Sequence, residues 1–147
     1  KTSGGWDTHG FDGSRMYKIL PSWQMPQTDQ SLPVLLSDLD ERGLLDETLV
    51  VWMGEFGRTP RINKNSSRDH WPSCYTVLMA GGGVKRGFRY GSSNRDGAFP
   101  ETGAVRPDDI AATMYALMGI NPETLMYDAF GRPLAITSGA PITGIMA

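Results

Sequence analysis

Thr48-Leu49-Val50-Val51-Trp52-Met53-Gly54-Glu55 is the stretch on which the fold turns. After Thr48 the run is apolar to Met53, rich in strand-forming side chains, and stops at a glycine. It is too short for a helix and lacks period-two alternation. Such a run suits a strand buried on both faces, as in a parallel sheet covered by helices. Tyr75-Thr76-Val77-Leu78-Met79-Ala80, closed by Gly81-Gly82-Gly83, reads as a second strand of the same kind. Upstream, Leu32, Leu35, Leu36 and Leu39 recur at three- and four-residue spacing from about Thr28, which gathers them on one helical face ending at Gly43. Thr28 or Asp29 can cap that helix, and Pro33 fits only in its first turn. Downstream, Pro107-Asp108-Asp109 opens a second helix with Ile110, Met114, Leu117 and Met118 as its stripe and Gly119 as its stop. Residues 11–27 have no clean period. The order helix, strand, loop, strand, helix predicts an α/β domain with a parallel-type sheet between helices.

Bulk properties narrow the possibilities. At 147 residues the chain has room for one core, burying about two-thirds of its unfolded surface. Its formal net charge of -2 gives no basic excess for nucleic acid. No stretch approaches the ~20 apolar residues of a membrane span. The one cysteine, Cys74, rules out an internal disulfide framework and reads as an inert, buried thiol. The chain begins at Lys1 and enters a Trp-Asp-Thr-His motif almost at once, so it reads as the C-terminal part of a larger unit.

In open α/β sheets, ligands sit at the carboxyl ends of strands. Glu55 lies two residues past such an end. The two histidines, His9 and His70, each stand near an aspartate and a tryptophan, in Gly5-Trp6-Asp7-Thr8-His9-Gly10 and Arg68-Asp69-His70-Trp71-Pro72. Neutral nitrogen and anionic oxygen are the donors a divalent metal prefers. In extended chain, residues i and i+2 face the same side, so Asp7 and His9 can reach one ion. Adjacent residues diverge, which leaves His70 as a ligand and Asp69 as a ligand or as the group that orients a neighbouring donor or pairs with Arg58 or Arg68. Glu55 can bind metal, act as a base or cap a turn. Arg58 can hold a tetrahedral anion by a two-pronged hydrogen bond. Trp6 and Trp71 serve either to wedge the histidine loops or to stack on a sugar ring.

Together with Met79-Ala80-Gly81-Gly82-Gly83 and Gly131-Arg132-Pro133-Leu134, the blocks Gly5 to His9, Val51-Trp52-Met53-Gly54-Glu55-Phe56-Gly57-Arg58-Thr59-Pro60 and Arg68 to Pro72 closely resemble the C-terminal half of the DUF1501 family, which is related to sulfatases and alkaline phosphatases. That resemblance covers almost the whole chain. It implies an alkaline-phosphatase/sulfatase-like domain lacking its N-terminal half, so that residues 1–147 form the C-terminal portion of one domain. It also implies a centre of divalent metal, often two ions (zinc, calcium or magnesium), with Asp7, His9 and His70 on the first ion, Glu55 where a second would be served, and a nucleophile upstream; Asp69 joins the expected metal residues from the reading of its own neighbourhood. Asp7 and His9 stand closer together than the family pattern of alkaline phosphatases has them, and Glu55-Phe56 replaces an Asp-His pair. A periplasmic or extracytoplasmic home follows from the same likeness. The expected activity is metal-dependent hydrolysis of sulfate or phosphate esters, on an anionic small molecule or a glycan, with Arg58 steadying negative charge. The rival reading is a non-catalytic, metal-stabilised carbohydrate-binding or cell-surface interaction domain.

Overall fold

The computed structural model describes residues 5–10 and 16–147. A short helix α1 (Met16–Ile19) runs through a π-helical turn (Leu20–Gln24) into α2 (Met25–Glu41). Strand β1 (Val50–Trp52) follows, then β2 (Gly57–Arg58), β3 (His70–Trp71) and β4 (Leu78–Ala80). After β5 (Ser92–Ser93) and β6 (Pro100–Thr102) comes α3 (Pro107–Leu117), and the chain closes with β7 (Leu125–Tyr127) and β8 (Pro133–Ala135).

The strands correct the expected architecture. Among the described residues there is no parallel sheet between helices; the strands form four two-stranded sheets, each antiparallel. The two apolar runs do find one another, with Val50 opposite Ala80, Val51 opposite Met79 and Trp52 opposite Leu78. Their direction follows from what lies between them. A parallel pair needs a crossover, usually a helix, to carry the chain back to its starting end. Residues 53–77 contain no helix, only turns and the β2–β3 ribbon, so β4 enters from the end where β1 leaves. Apolar continuity identified the strands but carried no information on their direction. Nor are they buried on both faces: Val50 and Val51 are half-buried and Trp52 is exposed.

The first long helix departs from expectation at its start, α3 begins at Pro107 as expected, and both agree at their ends. Helical structure begins at Met16, inside the stretch that shows no period, and α2 starts at Met25 with Pro26 in its first turn. Thr28 is therefore interior, and its Oγ1 donates back to the Gln24 carbonyl at 3.1 Å instead of capping. Pro33 also lies inside α2. Both long helices close in the same way. Gly43 and Gly119 take left-handed φ values of 67° and 74°, and the residues after them, Leu44 and Ile120, donate to Leu39 and Tyr115. At the start of α3, the Arg106 N–H donates to Asp109 Oδ2 at 2.9 Å.

The apolar core is small. Among the described residues Leu45, Ile110 and Ala112 are the buried hydrophobic side chains. The chain exposes 10423 Å², well above the ~7,400 Å² that a compact monomer of this mass shows. Polar links compensate around α3. Thr113, fully buried, donates to the Asp109 carbonyl at 2.6 Å and accepts from the Ile142 N–H at 2.9 Å. Asp109 Oδ1 accepts from Ala140, and Asp108 Oδ2 accepts from the Ser138 hydroxyl, so the C-terminal segment is tied across the helix start. No helix among the described residues is long and apolar enough to cross a membrane.

Candidate metal centre

The loop of residues 5–10 and the loop of residues 63–70 meet at one point. Asp7 Oδ1, His9 Nε2 and His70 Nε2 form a triangle with sides of 2.8 Å (His9 to Asp7), 2.6 Å (His70 to Asp7) and 2.9 Å (His9 to His70). Period-two geometry explains the first pair. Asp7 and His9 face the same way, while Thr8 between them is buried at 2% exposure. The donor edge is open to solvent: the side chain of Asp7 is 68% exposed and that of His9 only 18%.

The triangle has the dimensions of a metal-ligand set. Nitrogen or oxygen donors bound at about 2.1 Å stand about 3.0 Å apart at right-angle geometry and about 3.4 Å apart in a tetrahedron. To admit an ion the observed edges would open by a few tenths of an ångström at right-angle geometry and by roughly 0.5–0.8 Å in a tetrahedron. Among the described residues these three form the group whose donor atoms converge closely enough for one cation.

Asp69 lies on the other side of His9, with its Oδ1 3.2 Å from His9 Nδ1. A carboxylate only accepts, so this contact favours a proton on Nδ1. A neutral ring of that tautomer would turn its Nε2 lone pair toward a cation placed in the triangle, whereas a hydrogen bond from His9 to Asp7 needs a proton on Nε2 as well. This is the carboxylate–histidine arrangement that orients a metal ligand. Asp69 and His70, adjacent in sequence, diverge as extended neighbours do and grip His9 from its two nitrogens. The hydrogen bonds from His70, then His9, hold the Asp7 carboxyl below the usual carboxylate range. For Asp69 the Asn63 amide acts first and His9 second, again lowering its pKa.

Three further residues fix this geometry: Asn63 and Ser67 had no site reading from the sequence, and Phe56 entered only as part of the Glu55-Phe56 block. Asn63 donates from Nδ2 to Asp69 Oδ1 at 2.9 Å and to the His9 carbonyl at 3.3 Å. Its Oδ1 accepts from the Asn65 and Ser67 N–H groups, which folds the loop on itself. The legible signal was Asn63 itself, since Asn side chains build turns by binding backbone two residues on. Ser67, fully buried, donates to the Thr8 carbonyl and joins the two loops. Phe56 stacks on His70 with ring centroids 4.0 Å apart. Gly10 permits the contact: at φ 83° its missing side chain leaves room for Asn65, whose carbonyl oxygen would lie 2.5 Å from a Cβ.

Arg58 is drawn into the scaffold. Its Nη1 donates to the Thr8 and Arg68 carbonyls at 3.1 and 2.9 Å, and its Nη2 donates to the Trp6 carbonyl at 2.7 Å. Nη2 also stands 3.7 Å from Asp7 Oδ1. The guanidinium thus clamps both histidine loops while keeping a positive charge beside the triangle. Glu55 is exposed after β1 and lies outside the converging donors. Of the five residues expected to hold metal, the structure brings together Asp7, His9 and His70, sets Asp69 behind His9, and leaves Glu55 apart.

The chain matches, over residues 2–146, the family described as "Protein of unknown function (DUF1501)", and it belongs to that family. No curated protein and no solved structure matches it.

Proposed function

From membership of DUF1501 and from the donor triangle, we propose that this chain binds one divalent transition-metal ion through Asp7, His9 and His70 and serves hydrolysis of sulfate or phosphate esters. The observation that carries the reading is the convergence of two imidazole nitrogens and a carboxylate oxygen within 2.9 Å of one another. Two imidazoles favour zinc or a neighbouring transition metal over calcium or magnesium, which take oxygen donors. When bound, such an ion supplies a Lewis acid that polarises an ester oxygen. The protein's part is to hold and orient. Asp69 and Asn63 fix the His9 ring, and Phe56 covers one face of His70. Arg58 anchors both loops and places a cation where an anionic ester would approach. The exposed Asp7 edge leaves that approach open.

A second reading, a non-catalytic metal-stabilised domain for carbohydrate binding or cell-surface interaction, draws on the small core: an ion here would tie two loops where few apolar side chains among the described residues are buried. Turnover separates the two. The polypeptide as it occurs in cells, with any sequence flanking these 147 residues, is assayed with 4-nitrophenyl sulfate and 4-nitrophenyl phosphate. The hydrolase reading expects release of nitrophenol that a chelator abolishes, zinc restores and His70→Ala removes. No turnover of either ester by metal-loaded protein, or turnover indifferent to chelator, overturns it.

A further inference from the structure

The β2–β3 ribbon has two faces. Arg58 and His70 are cross-strand partners, as are Gly57 and Trp71. Alternation along a strand sends His70 toward Asp7 and His9, and Trp71 to the opposite side. On that opposite side lies a cavity of about 550 Å³ lined by Thr59, Pro60, Arg61, Trp71, Asp96 and Phe99 among others. Small-ligand sites are of this size, mostly apolar, with a few placed polar groups.

The walls are set before any ligand arrives. Trp71 donates its indole N–H to the Ala98 carbonyl at 2.6 Å, and its ring meets Phe99 edge-on with centroids 5.6 Å apart. Asn94 Oδ1 accepts from the Ala98 and Phe99 N–H groups and shapes that turn. Opposite, Arg68 donates to the Thr59 and Pro60 carbonyls, both at 2.6 Å, and the Thr59 hydroxyl donates to the Arg61 carbonyl. The Arg61 guanidinium and the Asp96 carboxylate are exposed, and no hydrogen bond or ion pair with the described residues engages them.

We propose that this cleft binds a pyranose ring of a glycan. The C–H face of a sugar ring is apolar and packs against an aromatic face, which Trp71 and Phe99 supply at fixed orientation. The hydroxyls around the ring are both donors and acceptors. Arg61 offers a planar set of donors to neighbouring hydroxyl oxygens, and Asp96 offers acceptors to hydroxyl protons. One positive and one negative side chain suit an uncharged polyol better than an anion, which Asp96 would repel. The cleft does not depend on the metal reading. If both hold, one ribbon presents a sugar cleft on one face and an ester-splitting centre on the other.

The test follows the Trp71 indole N–H signal in a proton–nitrogen spectrum of the protein, kept in chelator, during titration with methyl pyranosides of gluco, galacto, fuco and xylo configuration and their disaccharides. The expected result is saturable displacement by at least one sugar in the millimolar range or tighter, unchanged when zinc replaces chelator. Phe99→Ala and Arg61→Ala should each weaken it by about tenfold or more, and Phe99→Tyr should preserve it. Both side chains are exposed, so their removal spares the core. Three results overturn the proposal: no sugar moves the signal, the displacement survives in both alanine variants, or sodium sulfate alone reproduces it.

Discussion

Replacing Arg58 by lysine keeps the positive charge and removes the planar fork, so it separates a holding role from an anion-binding one. In the structure the guanidinium reaches three carbonyls, of Thr8, Arg68 and Trp6, at 3.1, 2.9 and 2.7 Å. An ammonium on a linear stem keeps one of them. Two charge-assisted hydrogen bonds are lost, each worth about 1.5–3 kcal/mol net. The Thr8 carbonyl retains its bond from Ser67 at 3.0 Å, and the exposed stretch around Trp6 regains water, so part of the loss is recovered. The remainder, about 1.5–3 kcal/mol, falls on the placement of Asp7 and His9. At ~1.4 kcal/mol per decade, zinc affinity should drop about 10–100-fold. Competition against a chromogenic chelator measures this, with circular dichroism to verify that the variant is folded. A lysine variant that binds zinc within about threefold of the parent yet loses ester turnover would refute the clamp and restore Arg58 as an anion holder.

Other expectations follow from the same contacts. Asn63→Ala removes the amide that fixes Asp69 and the turn around Ser67; zinc affinity should fall by about tenfold or more, and Asn63→Asp should be worse because it sets a second carboxylate beside Asp69. Glu55→Gln should leave zinc affinity unchanged in the same competition, since Glu55 lies outside the triangle; a tenfold loss would contradict the geometry. Acid should weaken the tie across α3: the N–H groups of Ala140 and Arg106 hold Asp109 below its ordinary value of 3.8. The unfolded chain therefore binds that proton first, so the Asp109 contribution is complete above about that value and is lost as pH falls through the lowered folded one. Unfolding midpoints of Asp109→Asn against pH should be flatter below pH ~4 than those of the parent. Finally, zinc at about 100 times its dissociation constant should stabilise the fold by about 2.7 kcal/mol, raising Tm by roughly 5–10 °C over chelated protein.

Local chemistry was legible wherever a few neighbouring residues settle the outcome. Pro107 opens α3, Gly43 and Gly119 end their helices, and the two apolar runs become paired strands. Strand direction was not legible, because it depends on the route of residues 53–77 and not on the strands' own side chains. Helix onset was missed because the prolines at 21 and 26 hide a turn that continues into α2. In the site, Asp-x-His spacing foretold a shared direction for Asp7 and His9, and divergence of neighbours foretold different directions for Asp69 and His70. The displacement of Glu55 had no sequence signal: a position just past a strand is favourable only if that strand end faces the site. Asn63 announces its own turn, but its reach to His9, like that of Ser67 to Thr8, is a backbone contact between distant loops that no local pattern records.

The central claim is that Asp7, His9 and His70 share one transition-metal ion, and calorimetric titration of metal-free protein with zinc and with magnesium tests it most directly. One zinc should bind per chain, magnesium should not compete, and binding should be lost in Asp7→Asn, His9→Ala and His70→Ala variants that remain folded. Absence of zinc binding in the parent, or undiminished binding in these three variants, would contradict it.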